Sequence, residues 1–372
     1  RDDVESRGLG DVYKRQTTKG NYVQVRRVMA ALEEAEKPLI CIGGGVFAAH
    51  AENEIRELAD LMQIPVITTM MGISVFPDDD QLFCGMIGTH GVKMANAAVN
   101  ECDVLFLVGA RVGDRAVKTP LALEKTTKII HIDIDPAEIG KNIGADLPLV
   151  GDAKLVLQQM TELAKPMKHD EWIAHIKTLG GERKYVEPAK GTVNPRVFID
   201  RLAKKMPANV TVVADVGQNQ IWTCTEYKFR KEGRLLTSGG MGTMGYSVPA
   251  AIGAKMADNS RATVAICGDG AFQMSFMELA TAVQFGVDIK VVVMTNNRLG
   301  MVRELQTNGY HDRQTAVFLD GSPDFIKLAE AYGIPAMRVY DDDTMDKGVE
   351  MLAEHKGICL VEVVVDKDMP TL

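Results

Sequence analysis

Ala262-Thr263-Val264-Ala265-Ile266-Cys267-Gly268-Asp269-Gly270 begins as an apolar run and ends in two glycines around one carboxylate. A run without polar alternation reads as a strand covered on both faces, as in parallel sheets. The glycines let the backbone come close to a ligand. Downstream, Phe272, Phe276, Leu279 and Val283 recur at helical spacing. That predicts one amphipathic helix over 272–285, with its N-terminus at the turn where its dipole favours phosphate. A second apolar strand, over 289–294, empties into Thr295-Asn296-Asn297-Arg298-Leu299-Gly300. In a parallel sheet the two strand ends share one edge, the edge at which α/β sheets bind ligands. The Asp269 carboxylate and the Asn296 amide oxygen are hard donors suited to Mg²⁺, which shares its shell with phosphate oxygens. Together they read as a Mg-diphosphate cradle.

Length and composition set the bounds. A chain of 372 residues has room for two or three domains, and its 46% hydrophobic and 25% charged content is that of an ordinary globular protein. A formal net charge of -8 argues against nucleic acid or an anionic membrane as partner. Cys41, Cys84, Cys102, Cys224, Cys267 and Cys359 show no CxxC spacing, and several fall in apolar strands. Buried free thiols in a reducing, cytoplasmic setting are expected. No apolar run reaches the ~18 residues of a membrane span.

Along the chain, residues 1–16 contain Ser6-Arg-Gly-Leu-Gly-Asp-Val-Tyr-Lys-Arg-Gln16, which has no periodicity and reads as translated adaptor sequence or a disordered tail. Residues 17–166 alternate helix and strand: helices over 23–36, 50–62 and 92–100, strands over 38–42, 65–68, 103–108 and 128–133. Residues 167–194, with a short helix, Gly180-Gly181 and a polar run, form a linker. Residues 195–372 resume the alternation, with strands over 210–214, 235–238, 262–267, 289–294 and 359–364 and a loop over 215–219. The expected fold class is α/β, as two doubly wound parallel-sheet domains.

Three further runs narrow the reading: Gly217-Gln-Asn-Gln-Ile-Trp222, Gly240-Met-Gly-Thr-Met-Gly-Tyr-Ser-Val-Pro249 and Leu299-Gly-Met-Val302. With Gly268-Asp269-Gly270 and the following Asn296, the chain from Thr17 onward resembles acetohydroxyacid synthase, also called acetolactate synthase, a thiamine diphosphate-dependent family. The resemblance implies a central domain of the FAD type over 17–166 and a thiamine diphosphate and Mg²⁺ domain over 195–372. In the latter, Gly217, Gln218 and Asn219 would hold the diphosphate, with Gly268 and the amides of Gly270 and Ala271. The family commonly has His where Asn219 stands, and both types can donate a hydrogen bond. Met244 would prop thiamine in its bent form, and Gly242 would offer its carbonyl to the pyrimidine amino group. The metal set would be Asp269, Asn296 and the carbonyl of Arg298, with Asn297 the rival of Asn296. In the central domain Gly43, Gly44, Gly45, Thr69, Met70, Met71, Gly88-Thr89-His90, Arg111, Asp114, Arg115, Asp133, Ile134, Asp152 and Ala153 resemble the family's flavin-contacting runs. Arg115 is also the candidate for the carboxylate of the second substrate. Gln218, Met244 and Arg115 are thus the expected catalytic set.

The implied reaction decarboxylates pyruvate and joins the two-carbon unit to a second 2-keto acid, in branched-chain amino-acid synthesis. A homodimer or tetramer with a small regulatory subunit is implied as well. Two departures bear on this. The family's activating glutamate lies in an N-terminal pyrimidine domain that the matching runs do not include, so the chain is read as a fragment, inert alone, with a closing tail also truncated. Leu305 stands where many members carry Trp, which affects preference for 2-ketobutyrate. The alternatives are a glyoxylate carboligase, a pyruvate oxidase, or a non-catalytic flavin and thiamine diphosphate-binding module.

Overall fold

The computed structural model describes residues 18–181 and 185–372, so the expected tail at 1–16 lies outside the described residues. Twelve strands are numbered in chain order: β1 Pro38–Ile42, β2 Val66–Thr68, β3 Phe83–Met86, β4 Val104–Val108, β5 Lys128–Asp133 and β6 Leu147–Val150; then β7 Thr211–Ala214, β8 Arg234–Thr237, β9 Thr263–Gly268, β10 Lys290–Thr295, β11 Ala336–Val339 and β12 Cys359–Val364. They form two six-stranded sheets, ordered β3-β2-β1-β4-β5-β6 and β11-β12-β10-β9-β7-β8.

Parallel pairing joins β1 to both β2 and β4, β4 to β5, and β5 to β6. In the second sheet it joins β7 to β8 and β9, β10 to β9 and β12, and β11 to β12. The two doubly wound α/β sheets expected from the alternation are present. The fully buried runs of β1, β4 and β10 are why parallel strands read as unbroken apolar sequence. The sequence reading missed β3, β6 and β11, which stand at or near sheet edges, are four residues long and are only partly buried. Gly85 and Pro148 interrupt the apolar pattern there.

Two compact units form. One takes the described residues up to Gly72, Ile87–Thr89 and Lys93–Gly180; the other takes Ile73–Met86, His90–Val92 and the described residues of Gly181–Leu372. Within the second unit Ser74 Oγ accepts from the Leu235 amide at 2.9 Å, and Asp78 Oδ2 accepts from the Phe229 amide at 2.8 Å. No periodicity in 73–86 announces this attachment.

The core of the second unit gathers Val213, Ala265, Val291 and Leu360 from four strands with Phe272, Leu279 and Phe325 from the helices. Phe272 meets Phe325 edge-on, with ring centroids 5.3 Å apart, a favoured aromatic geometry. The single helix expected over 272–285 is instead three pieces: Asp269–Phe272, a 3₁₀ turn Phe276–Glu278, and Leu279–Gln284. Gly245, at φ +82°, brings its loop against Met274 and Ser275 at the break, and Ser275 leaves helical geometry with φ -144°. Tertiary packing overrides the period, and Val283, expected on the buried face, is exposed. All six cysteines are free and buried, as expected. No helix among the described residues is long and apolar enough to cross a membrane.

Candidate functional site

In the second sheet the chain leaves β7 one way toward β8 and the other way toward β9 and β10. That reversal opens a crevice at the carboxyl ends of β7 and β9, the usual ligand position in an open α/β sheet. Gln218 and Asn219 follow β7, Asp269 follows β9, and Asn296 to Arg298 follow β10. Parallel pairing brings these candidates to one edge. Gln218 and Asn219 do not lie in a loop as expected, but open the helix Gln218–Glu226.

Asp269 is the electrostatic centre. It is only 2% exposed, and among the described residues no basic side chain pairs with it. Its Oδ2 accepts from the backbone amides of Asn296 at 3.1 Å and Asn297 at 2.6 Å, and its Oδ1 from Gly270 at 2.8 Å. Burial pushes the carboxyl up to about 6, although those amides pull the other way. A buried carboxylate without a counter-charge is costly, and a cation would relieve it. Asn297 adopts the left-handed conformation, φ +55°, which lets consecutive amides converge on one carboxylate oxygen. The Asn296 side chain lies in a polar network with Arg298 and Gln218.

Asn296 Oδ1 accepts from the Arg298 amide at 3.0 Å, and Asn296 Nδ2 donates to Gln218 Oε1 at 3.1 Å. The Arg298 guanidinium is committed elsewhere: it donates to Asn297 O at 2.7 Å and Asp320 at 2.8 Å, and lies over the Phe318 ring at 4.6 Å. Only the Arg298 carbonyl is left for the role the sequence assigns to this residue.

Gln218 and Asn219, expected to donate to a diphosphate, spend their side-chain hydrogens within the chain. Gln218 Nε2 donates to Met369 O at 2.9 Å and Thr371 Oγ1 at 3.1 Å. Asn219 Nδ2 donates to Asp215 O at 2.8 Å and Ile266 O at 3.2 Å, stitching the ends of β7 and β9. A Cβ on Gly217, at φ +143°, would lie 2.7 Å from Asn219 Oδ1. Met244 is half-buried at the margin of the core, and its methyl lies 3.4 Å from where a Gly270 Cβ would stand. Gly242 is exposed in a turn closed by its amide on Ser238 O at 2.8 Å.

Four residues of this site carried no role in the sequence reading. Asp215 is fully buried, and its carboxylate accepts from the amides of Val216, Gly245 and Ser247 at 2.9, 3.0 and 2.7 Å. It therefore clamps the loop that carries Met244. Gly300, Glu304 and Thr371 act around Gln218. An acid in the strand-end loop Asp215-Val-Gly-Gln-Asn219 was the available signal for the first; no local pattern marks the others.

In the first unit, the switch point lies between β1 and β4. Gly43–Gly45, Thr69–Met71, Arg111–Arg115 and Asp152–Ala153 follow β1, β2, β4 and β6, and Asp133–Ile134 span the end of β5, so that all share the carboxyl edge. A Cβ on Gly43 would sit 2.1 Å from Gly109 O, and one on Gly45 2.7 Å from Gly109 Cα. The close approach of β1 and β4 thus accounts for both glycines without a ligand. Gly44 faces Met71. Asp152 caps the helix Ala153–Thr161 through the Leu155 amide, 3.2 Å, and Asp133 accepts from the Asp135 amide, 2.9 Å. Arg111, Asp114 and Arg115 are exposed; His90, which falls in the second unit, is half-buried in the turn after β3.

Residues 215–363 match the model of the C-terminal TPP binding domain of thiamine pyrophosphate enzymes, and residues 25–160 that of their central domain. The chain is 39% identical over 365 residues to the probable acetolactate synthase large subunit of Methanocaldococcus jannaschii, covering 95% of this chain and 61% of the relative. It is 38% identical over 380 residues to acetolactate synthase of Arthrospira platensis, with 98% and 65% covered. It is 34% identical over 362 residues to the acetolactate synthase isozyme 3 large subunit of Escherichia coli, with 94% and 63% covered. The chain thus spans about three-fifths of the length of the curated relatives it matches.

Proposed function

Since the chain belongs to the thiamine pyrophosphate enzymes, with their central and C-terminal domains both matched, we propose that it forms the greater part of an acetolactate synthase large subunit. The reaction is decarboxylation of pyruvate and condensation of the two-carbon unit with a second 2-keto acid. The observation that carries the cofactor part is Asp269: a buried carboxylate without a basic partner, at a switch point, bonded to the turn that holds Asn296. Its oxygens, Asn296 Oδ1 and the Arg298 carbonyl would hold Mg²⁺, an all-oxygen set of the kind that cation takes.

When bound, thiamine diphosphate supplies the carbon nucleophile and the electron sink for decarboxylation. The chain's own residues bind and orient. The amides of Gly270 and Ala271, in the first turn of Asp269–Phe272, would take diphosphate oxygens, Gly270 giving up its present bond to Asp269. Gln218 and Asn219 would contribute through backbone and position. Met244, on the loop clamped by Asp215, would support the thiamine rings, and Gly242 would offer its carbonyl. In the first unit the carboxyl edge of the sheet would receive FAD, with Arg111 on its diphosphate and Asp133 and Asp152 on hydroxyl or amino groups. Occupancy there does not imply redox turnover. Arg115, exposed and without a fixed ion pair among the described residues, would take a 2-keto acid carboxylate.

Several relatives are named as large subunits; by that likeness, a small regulatory subunit and self-association of the large one are proposed here, in the cytoplasm. Product analysis tests the reading. The protein as its gene encodes it, given pyruvate, thiamine diphosphate and Mg²⁺, is expected to release CO₂ and form 2-acetolactate. Peroxide with flavin turnover would mark an oxidase instead, and consumption of glyoxylate a carboligase.

A further inference from the structure

We propose that the segment 366–371 fixes the cation site through a one-way chain of hydrogen bonds, in which Thr371 is a positioning residue for Asn296. This rests on reading Asn296 as a cation ligand. The argument is one of donors and acceptors. Glu304, whose carboxylate can only accept, takes both the backbone amide of Thr371, 2.8 Å, and its hydroxyl hydrogen. The Thr371 oxygen is left to accept, and does so from Gln218 Nε2 at 3.1 Å. The Met369 carbonyl, also only an acceptor, takes the other Gln218 amide hydrogen at 2.9 Å.

With both hydrogens spent on that side, Gln218 must turn its oxygen to Asn296, and it accepts from Nδ2 at 3.1 Å. The Asn296 oxygen then faces away from Gln218. It accepts the Arg298 amide at 3.0 Å and keeps a lone pair for a cation. Amide orientation follows from partners, and here the Met369 carbonyl and the Thr371 oxygen together hold one end of the chain while the Arg298 amide holds the other. Were Gln218 reversed, its NH₂ would meet Asn296, which would answer with its oxygen and present hydrogens to the cation.

The segment is well placed to hold this order. Trp222 Nε1 donates to Pro370 O at 3.1 Å, Arg196 Nη2 to Thr371 O at 2.7 Å, and Arg303 to Asp368 at 3.2 Å. Thr371 and Gln218 are 3% and 5% exposed, so water does not replace a broken link, and bonds in such a chain reinforce one another.

The test measures the Mg²⁺ concentration that half-saturates the protein at fixed, excess thiamine diphosphate, by calorimetry. Thr371→Val is expected to raise it about tenfold, the loss of one buried hydrogen bond. Thr371→Ser, which keeps the hydroxyl, is expected to restore it. Glu304→Gln, which can donate as well as accept, is expected to weaken Mg²⁺ binding in the same direction without removing Thr371. Binding by Thr371→Val equal to that of the unsubstituted chain would overturn the relay alone, as would a Thr371→Ser variant no better than Thr371→Val. Failure of the unsubstituted chain to take up Mg²⁺ with thiamine diphosphate would overturn the cation reading on which the relay rests.

Discussion

Asp269→Asn is expected to abolish Mg²⁺-dependent retention of thiamine diphosphate while leaving the fold intact. The substitution removes the one anionic donor of the proposed cation set, and a neutral amide is a far weaker partner for a divalent ion. Affinity should fall by more than about a hundredfold, roughly 3 kcal/mol. The folded chain tolerates the change because the amide oxygen can still accept from Asn296 and Asn297, which now share Asp269 Oδ2, and only the Gly270 amide loses its acceptor. The amide also removes a charge whose burial pushes the carboxyl up to about 6. Calorimetry with thiamine diphosphate and Mg²⁺ reads the first effect and a thermal melt of the cofactor-free protein the second. A variant that binds normally would remove Asp269 from the metal set; one that unfolds would make it a structural residue.

The second large effect is expected at Gly300, the first residue of the helix Gly300–Gly309. A Cβ there would stand 1.8 Å from Gln218 Oε1, 2.5 Å from Gln218 Cδ and 3.2 Å from Asn296 Nδ2. The end of a glutamine would usually move aside, but this one is buried and held by Met369, Thr371 and Asn296. Gly300→Ala should therefore cost about 1–3 kcal/mol, as overpacking does, and weaken thiamine diphosphate binding about tenfold or more through Asn296. Gly253 makes the control. It lies exposed in the helix Ser247–Ala257, and a Cβ there would meet nothing within 4 Å. Gly253→Ala should stabilise by up to about 1 kcal/mol. Denaturant midpoints and thiamine diphosphate titrations of the two variants separate steric damage at the relay from the general effect of replacing a helical glycine.

These two residues show what sequence reading reached and where it stopped. The place of Asp269 at the sheet edge was legible because an apolar strand, a tight turn and a second strand end follow in the linear order that parallel topology converts into one edge. The same logic found both sheets, since buried central strands such as β4 and β10 carry no competing pattern. Gly300 lies in the run Leu299-Gly-Met-Val302, yet what a Cβ there would meet is a side chain 82 positions earlier in sequence (300 − 218). Thr371 and Glu304 belong to no motif, and the proposed relay gives them a role only through Gln218. The break at Ser275 has the same origin: spacing described an uninterrupted helix, and the loop around Gly245 divides it. In the first unit Gly43 to Gly45 resemble a flavin-contacting run, and the fold adds what the run does not show: a Cβ on Gly43 or Gly45 would meet the backbone of Gly109, and one on Gly44 would meet Met71. Local pattern reports which residues reach an edge, and the partners waiting there come only from the fold.

The most direct measurement is a calorimetric titration of the protein with thiamine diphosphate, run once with Mg²⁺ and once with the divalent cations chelated. Saturable binding in Mg²⁺ that disappears on chelation is the predicted result, because in the proposed cradle the anionic diphosphate and the buried Asp269 carboxylate would repel each other without a cation. Binding of equal strength without the cation, or none with it, would contradict the assignment of Asp269 and Asn296 to a Mg-diphosphate cradle.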